Sequence, residues 1–185
     1  MARRPRKVTS RSLENAALYY LQRFSTSAEN LRRVLMRRVE RSAQAHGTDR
    51  AEGSALVDAL ISRFRGSGLL DDRAYAEAQV ATLRRRGMPS RVIRARLRRK
   101  GVAEDDVDAG LTAIDEHADE PDFAAAVNFA RRRRLGPFRP EEDRPGSGDK
   151  DLAVLARAGF SYDVARRILA AKTPEELDPG DLNAR

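Results

Sequence analysis

Residues 93–111 read IRARLRRKGVAEDDVDAGL, and the spacing of the apolar residues in this stretch decides the fold. Two pairs of apolar residues, each spaced by four positions, flank a glycine and a valine: Ile93 and Leu97, then Gly101 and Val102, then Val107 and Leu111. Apolar residues at this spacing line one face of a helix, and a glycine commonly ends one. The stretch therefore predicts two short amphipathic helices joined by a tight turn.

The same pattern occurs twice more along the chain. One copy keeps both the glycine and the spacing, at Leu155, Gly159, Phe160, Ala165 and Leu169. The other lacks the glycine but keeps the apolar spacing, at Leu31, Leu35, Val39, Val57, Leu60, Ile61 and Phe64. Repeated units of this length bury their apolar faces against one another. Because alternating apolar runs are absent as well, the sequence predicts an all-α fold of nine helices, arranged as three times three.

Breaks in the apolar pattern divide the chain into five segments. We expect a flexible basic arm at residues 1–12, three-helix repeats at 13–66, 67–120 and 121–172, and a loose acidic tail at 173–185. Within the third repeat, proline, glycine and charged residues predict a loop at 136–149.

Finer predictions concern individual positions. The first helix is expected from about Leu13 to Phe24, and Thr26 with Glu29 fits a capping box at the start of the second. Ile114 is expected to pack inward beside Val107 and Leu111. Five aromatic residues on apolar stripes are predicted to be core: Tyr20, Phe24, Phe64, Phe123 and Phe160. Because these five rings are expected to be buried, the sequence argues against a single-strand binder that stacks bases on exposed aromatic side chains. Phe138, in the loop, is the one candidate for an exposed aromatic anchor.

Composition limits the classes of function. The 185 residues contain 36 Lys and Arg against 28 Asp and Glu, a net charge of +8, which favours a polyanion or an acidic protein surface as partner. Without cysteine, disulfides, thiol nucleophiles and thiolate metal sites are excluded. No apolar run approaches the length of a membrane span, and the basic opening has no apolar segment of a secretory signal behind it. We therefore expect a soluble cytoplasmic protein with no membrane partner.

Basic residues are concentrated in three runs that are candidates for binding a partner or phosphates. The densest has no acidic residue between positions 84 and 100 and comprises Arg84, Arg85, Arg86, Arg91, Arg94, Arg96, Arg98, Arg99 and Lys100. The second is Arg131, Arg132, Arg133 and Arg134, of which at least one is expected to pack inward because a helix spreads four consecutive side chains around its girth. The third is Arg32, Arg33, Arg37 and Arg38. The competing interpretation is a solvated face whose long side chains cover apolar surface.

Acidic and histidine residues do not form a recognisable active site. Asp71 and Asp72 are adjacent at a predicted helix start, where capping is the expected role. His46 and His117 are isolated in sequence, and no nucleophile with a matching base is evident. We therefore expect no catalytic residue, no metal and no cofactor, and a protein that is not an enzyme.

The segment Gly68-Leu69-Leu70-Asp71-Asp72-Arg73-Ala74-Tyr75-Ala76 resembles the signature of the RecX regulators of the RecA recombinase. Similarity extends in order from about Leu13 to Leu169, although Leu69 replaces a common aromatic and Ala165 a larger aliphatic residue. The residues that carry the resemblance most clearly are Gly68, Leu70, Asp71, Asp72, Tyr75, Gly101, Gly159 and Phe160.

This resemblance implies an elongated, curved monomer of three tandem three-helix repeats. It further implies a regulatory protein that binds RecA filaments on DNA and lowers their ATP hydrolysis and strand exchange. The resemblance leaves open whether the protein also contacts DNA phosphates directly. The setting would be DNA repair by homologous recombination and the SOS response. The alternative is a general nucleic-acid-binding helical protein that acts through its arginine-rich helix at about 89–100. A helix that reads bases usually mixes Asn, Gln, Ser and Thr among its basic residues, whereas this one is almost entirely Arg, Ala and apolar residues, which disfavours this alternative.

Overall fold

The structure is a computed structural model that describes residues 7–116 and 118–177. In this part of the chain there are nine α-helices, three short 3-10 turns and no strand, which confirms the all-α prediction. The helices are α1 (Ser10–Leu21), α2 (Ala28–His46), α3 (Arg50–Gly66), α4 (Asp72–Arg85), α5 (Ser90–Arg99), α6 (Glu104–Asp115), α7 (Pro121–Arg133), α8 (Gly148–Ala158) and α9 (Tyr162–Ala170). The first half of the predicted arm, His117 and the end of the predicted tail (178–185) lie outside the described residues.

The helices group into two compact units. Unit 1 comprises the described residues up to Ala76 together with Leu97–Asp106. Unit 2 comprises Glu77–Arg96 together with the described residues from Val107 onward. Helices α4, α5 and α6 therefore contribute residues to both units. The predicted boundaries of the three repeats follow sequence spacing alone and stay a prediction.

The core of unit 1 lies where α1, α2 and α3 meet. Its residues are completely or almost completely buried. They include Leu13, Ala17, Leu31, Leu35, Val39, Val57, Leu60, Ile61, Phe64 and Leu70. Gly53 of α3 packs directly on Val39 of α2, and a Cβ at position 53 would overlap that side chain. The apolar spacing of the first repeat is thus confirmed as the buried face.

Two predictions at the ends of α1 are wrong. The chain is already ordered at Val8, which is buried, and the helix begins at Ser10 because Thr9 and Ser12 form a reciprocal capping box. At the other end the helix stops at Leu21, so Phe24 lies beyond it with 54% of its surface exposed. The cap of α2 is Ser27, which accepts from the N–H of Asn30, and not Thr26.

The core of unit 2 includes Phe123, Ala126, Val127, Ala130, Leu155, Phe160, Ala165 and Ile168. Three predictions are corrected here. Ile114 is 43% exposed, and Phe138 is half-buried against this core and is not an exposed anchor. The predicted loose tail still belongs to the core at Leu177, which is buried. The predicted loop at 136–149 contains two 3-10 turns, Gly136–Phe138 and Glu141–Asp143.

Candidate basic interface

The signature segment at the start of α4 holds two aspartates that cap two different helices. Asp71 accepts a hydrogen bond from the N–H of Ala74, 2.9 Å away, and so caps α4 as predicted. Asp72 accepts from the N–H of Ala28, the first residue of α2, at 2.7 Å. The other oxygen of Asp72 forms an ion pair with Arg65 at 2.6 Å. The pair of carboxylates is therefore structural, and the start of α4 is fixed to the start of α2.

The C-terminal end of α5 also packs on the start of α2. The Ser27 hydroxyl donates to the carbonyl oxygen of Lys100, and Arg33 Nη1 donates to the carbonyl oxygen of Arg99 at 2.8 Å. Gly101 follows with φ 76°, where a Cβ would be strained and would overlap the side chain of Glu29. These contacts place Arg99 and Lys100, at the end of the first basic run, beside Arg33 of the third run within unit 1.

We call this group the α2–α5 basic surface and define it as Arg33, Arg37, Arg99 and Lys100. All four side chains are exposed. Glu29 forms an i,i+4 ion pair with Arg33 at 2.9 Å, so the surface carries one negative charge among its positive ones. Arg32, by contrast, turns to α3 and pairs with Asp58 at 2.6 Å, so its guanidinium stabilises the α2–α3 contact.

Arg84 does not belong to any exposed surface, contrary to the prediction. Its side chain is only 9% exposed and forms ion pairs with Asp115 at 2.5 Å and Asp122 at 2.7 Å. Further N–H groups donate to the Ser90 hydroxyl and the Met88 carbonyl oxygen. A guanidinium with this many partners is a connecting element between α4, the end of α6 and the start of α7 in unit 2.

The charge state of this network follows from its hydrogen bonds. Burial would raise the pKa of Asp122, but hydrogen bonds from the Ser90 N–H, from Arg84 and from the Ser90 hydroxyl outweigh it and hold that pKa below its ordinary value. Burial likewise opposes the charge of Arg84, yet its bonds to both aspartates raise the pKa of the guanidinium. Both groups therefore stay charged at neutral pH.

Arg85 and Arg86, which follow Arg84 in the first basic run, contact Arg132 of the second run at the C-terminal end of α4. Arg132 donates to the carbonyl oxygens of Arg85, at 3.3 Å, and Arg86. The Gly87 turn lies directly on α7, because a Cβ at this position would be 3.0 Å from the Ala125 carbonyl oxygen. The carbonyl groups that α4 leaves unpaired at its end are thus satisfied by an arginine from another helix.

None of the four consecutive arginines at the end of α7 packs inward, so that expectation is wrong. Arg131, Arg132, Arg133 and Arg134 are all exposed. Arg131 lies over the ring of Phe138 at 5.4 Å from its centroid, and Arg133 lies over Phe129 at 5.8 Å. Arg134 ends the helix in the left-handed conformation, with φ 53°.

The arginines of α5 differ in their surroundings. Arg94 forms an ion pair with Asp108 of α6. Arg91 is exposed and lies near Gly159, where a Cβ would be 3.7 Å from Arg91 Nη2. Arg96 and Arg98 are also exposed. Within α5, Arg94 is therefore paired with a carboxylate, whereas Arg91, Arg96 and Arg98 are exposed.

We call the group in unit 2 the α4–α7 basic surface and define it as Arg85, Arg86, Arg91, Arg132 and Arg133. Among residues 7–116 and 118–177, none of these five forms an ion pair with a carboxylate. Arg37 and Arg38 on α2 likewise lack such a pair within the described chain.

Other kinds of site were considered over the same residues. No group of three or more His, Asp or Glu side chains in the described ranges is placed to hold a metal ion. No helix of that part of the chain is long and apolar enough to cross a membrane.

Comparison with known proteins identifies the family. A model of the second three-helix domain of RecX matches residues 71–111, which span α4 and α5 and most of α6. The regulatory protein RecX of Myxococcus xanthus is 44% identical over 90% of this chain and 89% of its own length. The chain belongs to the RecX family. The RecX protein of Agrobacterium fabrum is 34% identical over 92% of this chain and 90% of its own length.

Solved RecX structures agree with the fold. A crystal structure of a regulatory protein RecX superposes with a TM-score of 0.58 at 26% identity, over 86% of this chain and 70% of that one. RecX from Lactobacillus salivarius superposes with a TM-score of 0.59 at 22% identity, over 86% of this chain and 94% of that one, and shows the fold alone. The three-helix organisation predicted from the repeat pattern is thereby that of RecX proteins.

Proposed function

We propose that this chain binds the RecA filament on DNA and lowers its ATP hydrolysis and strand exchange. The observation that carries the proposal is the 44% identity to a regulatory protein RecX over nearly the whole length of both proteins. The two exposed basic surfaces support it, because a filament on DNA offers both acidic side chains and phosphates to arginine. No catalytic step by this chain is part of the proposal.

Regulation by binding requires a difference in affinity between two states of the filament. A protein that binds an inactive or dissociating state more tightly shifts the population of protomers toward that state. Ion pairs at the interface would be screened by salt, so inhibition of the ATPase should weaken as ionic strength rises. The degree of inhibition should therefore depend on the ratio of this protein to RecA protomers and not on the concentration of free DNA.

The test is DNA-dependent ATP hydrolysis by purified RecA on single-stranded DNA, with increasing amounts of this protein. We expect inhibition of both hydrolysis and strand exchange when the protein is added to preformed filaments. Inhibition could arise in two ways, by competition with RecA for DNA or by binding to the filament. Excess single-stranded DNA distinguishes them, because it relieves inhibition by competition and does not relieve inhibition by filament binding. Unchanged hydrolysis at saturating protein would reject the proposal and favour the general nucleic-acid binder.

A further inference from the structure

The α4–α7 basic surface of unit 2 contains a partly exposed aromatic ring among its arginines. The ring is that of Phe129, which Arg133 covers from one side. The backbone nitrogen of Phe129 would be 3.3 Å from a Cβ on Gly87, so the ring adjoins the turn that follows Arg85 and Arg86. Aromatic residues and arginine are the types enriched where proteins bind one another.

The arginines of this surface have no carboxylate to neutralise them. None of the five forms an ion pair with one within the described ranges. Elsewhere exposed arginines are often paired, as Arg50 is with Glu40 and Arg63 with Glu14. A surface with charge of one sign favours a partner with charge of the opposite sign.

Unit 1 carries a surface of that opposite charge where α6 begins. Glu104, Asp105 and Asp106 are consecutive, and none of them pairs with a lysine or arginine in the part of the chain that the structure describes. The helix dipole favours carboxylates in a first turn, which accounts for their position. It leaves Glu104 and Asp105 exposed to solvent and available to a cation of another molecule.

A hollow of about 380 Å³ lies beside this turn, at the start of α4. Its charged lining residues are three aspartates and two arginines: Asp71, Asp72, Asp106, Arg65 and Arg73. Arg65 is already paired with Asp72 at 2.6 Å, so the carboxylates are in excess. Leu69 adjoins the hollow through its neighbours Gly68 and Leu70, and 48% of its surface is exposed.

We call this group the acidic edge and define it as Leu69, Asp71, Glu104, Asp105 and Asp106. Like the α4–α7 basic surface, it combines an exposed apolar side chain with charge of one sign. The signs are opposite, and carboxylates match the planar N–H donors of arginine. The two surfaces are therefore complementary in both charge and apolar character.

We infer that the α4–α7 basic surface of one copy of this chain binds the acidic edge of a second copy. A phosphate backbone would satisfy the arginines alone, whereas the acidic edge also offers Leu69 to the exposed part of Phe129. Because the two surfaces differ, the contact is heterologous and can repeat from copy to copy.

The inference goes beyond the proposed function, since association between copies is measurable without RecA. Exposed ion pairs contribute little individually, so the contact is weak between free copies. It becomes stronger when copies are held side by side on one filament, where their effective concentration is high. A chain that is a monomer when dilute would thus bind a filament cooperatively.

The experiment measures the mass of the full chain, freed of nucleic acid, by sedimentation at about 100 μM protein in about 50 mM NaCl, where exposed charges are weakly screened. One test variant reverses the basic surface, Arg85→Glu/Arg86→Glu/Arg91→Glu. The other reverses the acidic edge, Glu104→Lys/Asp105→Lys. Each is examined alone and in an equimolar mixture with the other.

The remaining residues of both surfaces are kept because they also stabilise the fold, as Arg132 does at the end of α4 and Asp71 at its start. The controls reverse exposed charges elsewhere: Arg11→Glu/Arg157→Glu/Arg166→Glu and Glu141→Lys/Glu142→Lys. Circular dichroism and the thermal midpoint establish that all variants fold.

We expect the unaltered chain and both controls to associate reversibly and each test variant alone to stay a monomer. The mixture should associate at least about tenfold more tightly than either test variant with itself, because it joins an unaltered acidic edge to an unaltered basic surface. A monomeric unaltered chain, association of either test variant alone, or no association in the mixture overturns the inference.

An ATPase assay in parallel keeps the two proposals apart. If the copies associate through these surfaces but the unaltered chain leaves RecA hydrolysis unchanged, the inference stands and the proposed function fails. If the unaltered chain inhibits RecA but the mixed variants do not associate, only the inference fails, and the basic surface is left to nucleic acid or to the filament itself.

Discussion

Asp72, the first residue of α4, accepts a hydrogen bond from the N–H of Ala28, the first residue of α2, at a distance of 2.7 Å. A carboxylate at the start of one helix thus accepts a free N–H group at the start of another helix, 44 residues earlier in the chain. Of the two consecutive aspartates in this chain, Asp71 therefore caps its own helix and Asp72 caps a neighbouring one.

Replacing Asp72 by Ala should destabilise unit 1 by about 2 kcal/mol, because the Ala28 N–H and Arg65 both lose their partner. Asp71→Ala, which removes only the local cap of α4, should cost about 1 kcal/mol. Urea denaturation measures both values. Equal costs for the two variants would show that the contact with α2 adds nothing.

Gly101→Ala should be more damaging than Gly47→Ala, although both glycines have positive φ. Nothing lies within 4 Å of a Cβ at position 47, so only backbone strain of about 1 kcal/mol is expected. At position 101 the same strain is joined by overlap with Glu29, and we expect a cost of about 2–4 kcal/mol. Thermal unfolding compares the pair, and a similar midpoint for both would contradict the close packing of α5 on α2.

Arg84→Ala should lower the free energy of unfolding by about 2–3 kcal/mol, because two partly buried aspartates lose their cation. Arg84→Lys keeps the positive charge but not the several N–H donors of the planar guanidinium, so we expect a smaller decrease in the free energy of unfolding. Chemical denaturation gives both values. Neither variant should weaken inhibition of the RecA ATPase while the protein is folded, and a selective loss of inhibition would return Arg84 to the candidate interface.

The depressed pKa of Asp122 gives a pH dependence of known sign. Its stabilising contribution is present above the ordinary value of 3.8 and is lost as pH falls through the lower pKa of the folded state. In Asp122→Asn the group no longer titrates, so the fall in unfolding free energy below that pH should be shallower than in the unaltered protein. Denaturation curves at several pH values test this, and identical slopes would contradict it.

The α2–α5 basic surface should contribute to inhibition of RecA. Its mixture of arginine with Glu29 suits an acidic protein surface better than a uniform row of phosphates. Arg37→Ala/Arg99→Ala/Lys100→Ala should therefore raise the half-inhibitory concentration in the ATPase assay at least about tenfold, a loss of about 1.4 kcal/mol.

The control for this variant removes the same charge from exposed arginines of α1, α8 and α9: Arg11→Ala/Arg157→Ala/Arg166→Ala. Circular dichroism and the thermal midpoint establish that both variants fold. Inhibition equal to that of the control would exclude the α2–α5 surface from the interface with the filament.

The repeat pattern in the sequence predicted the helices well because the apolar spacing records which face is buried. Ile93, Leu97, Val107 and Leu111 are all buried, as the spacing required. Helix ends were predicted less accurately. They depend on local hydrogen bonds such as the Thr9–Ser12 capping box, and a continuing apolar stripe extended the first helix wrongly to Phe24.

The sequence predicted which runs of basic residues could bind a partner, but it did not predict which of their side chains are exposed and which are paired. The sequence could not separate Arg84 from Arg85, because only the fold brings Asp115 and Asp122 to the former. The buried ion pair of Arg139 with Asp151, at 2.6 Å, was also missed. One signal was present, since Asp151 lies four residues before Leu155 on the same apolar stripe, where an acidic residue requires a partner.

The burial of Leu177 bears on how this protein can be shortened for crystallisation or fusion. The predicted boundary of the tail, at 173, suggests a cut that would remove Leu177 and open the apolar core of unit 2 to solvent. Loss of a buried leucine commonly costs about 2–5 kcal/mol, enough to turn a well-behaved preparation into one that aggregates. A shortened protein should therefore retain Leu177, and an affinity tag at this end should be joined after it.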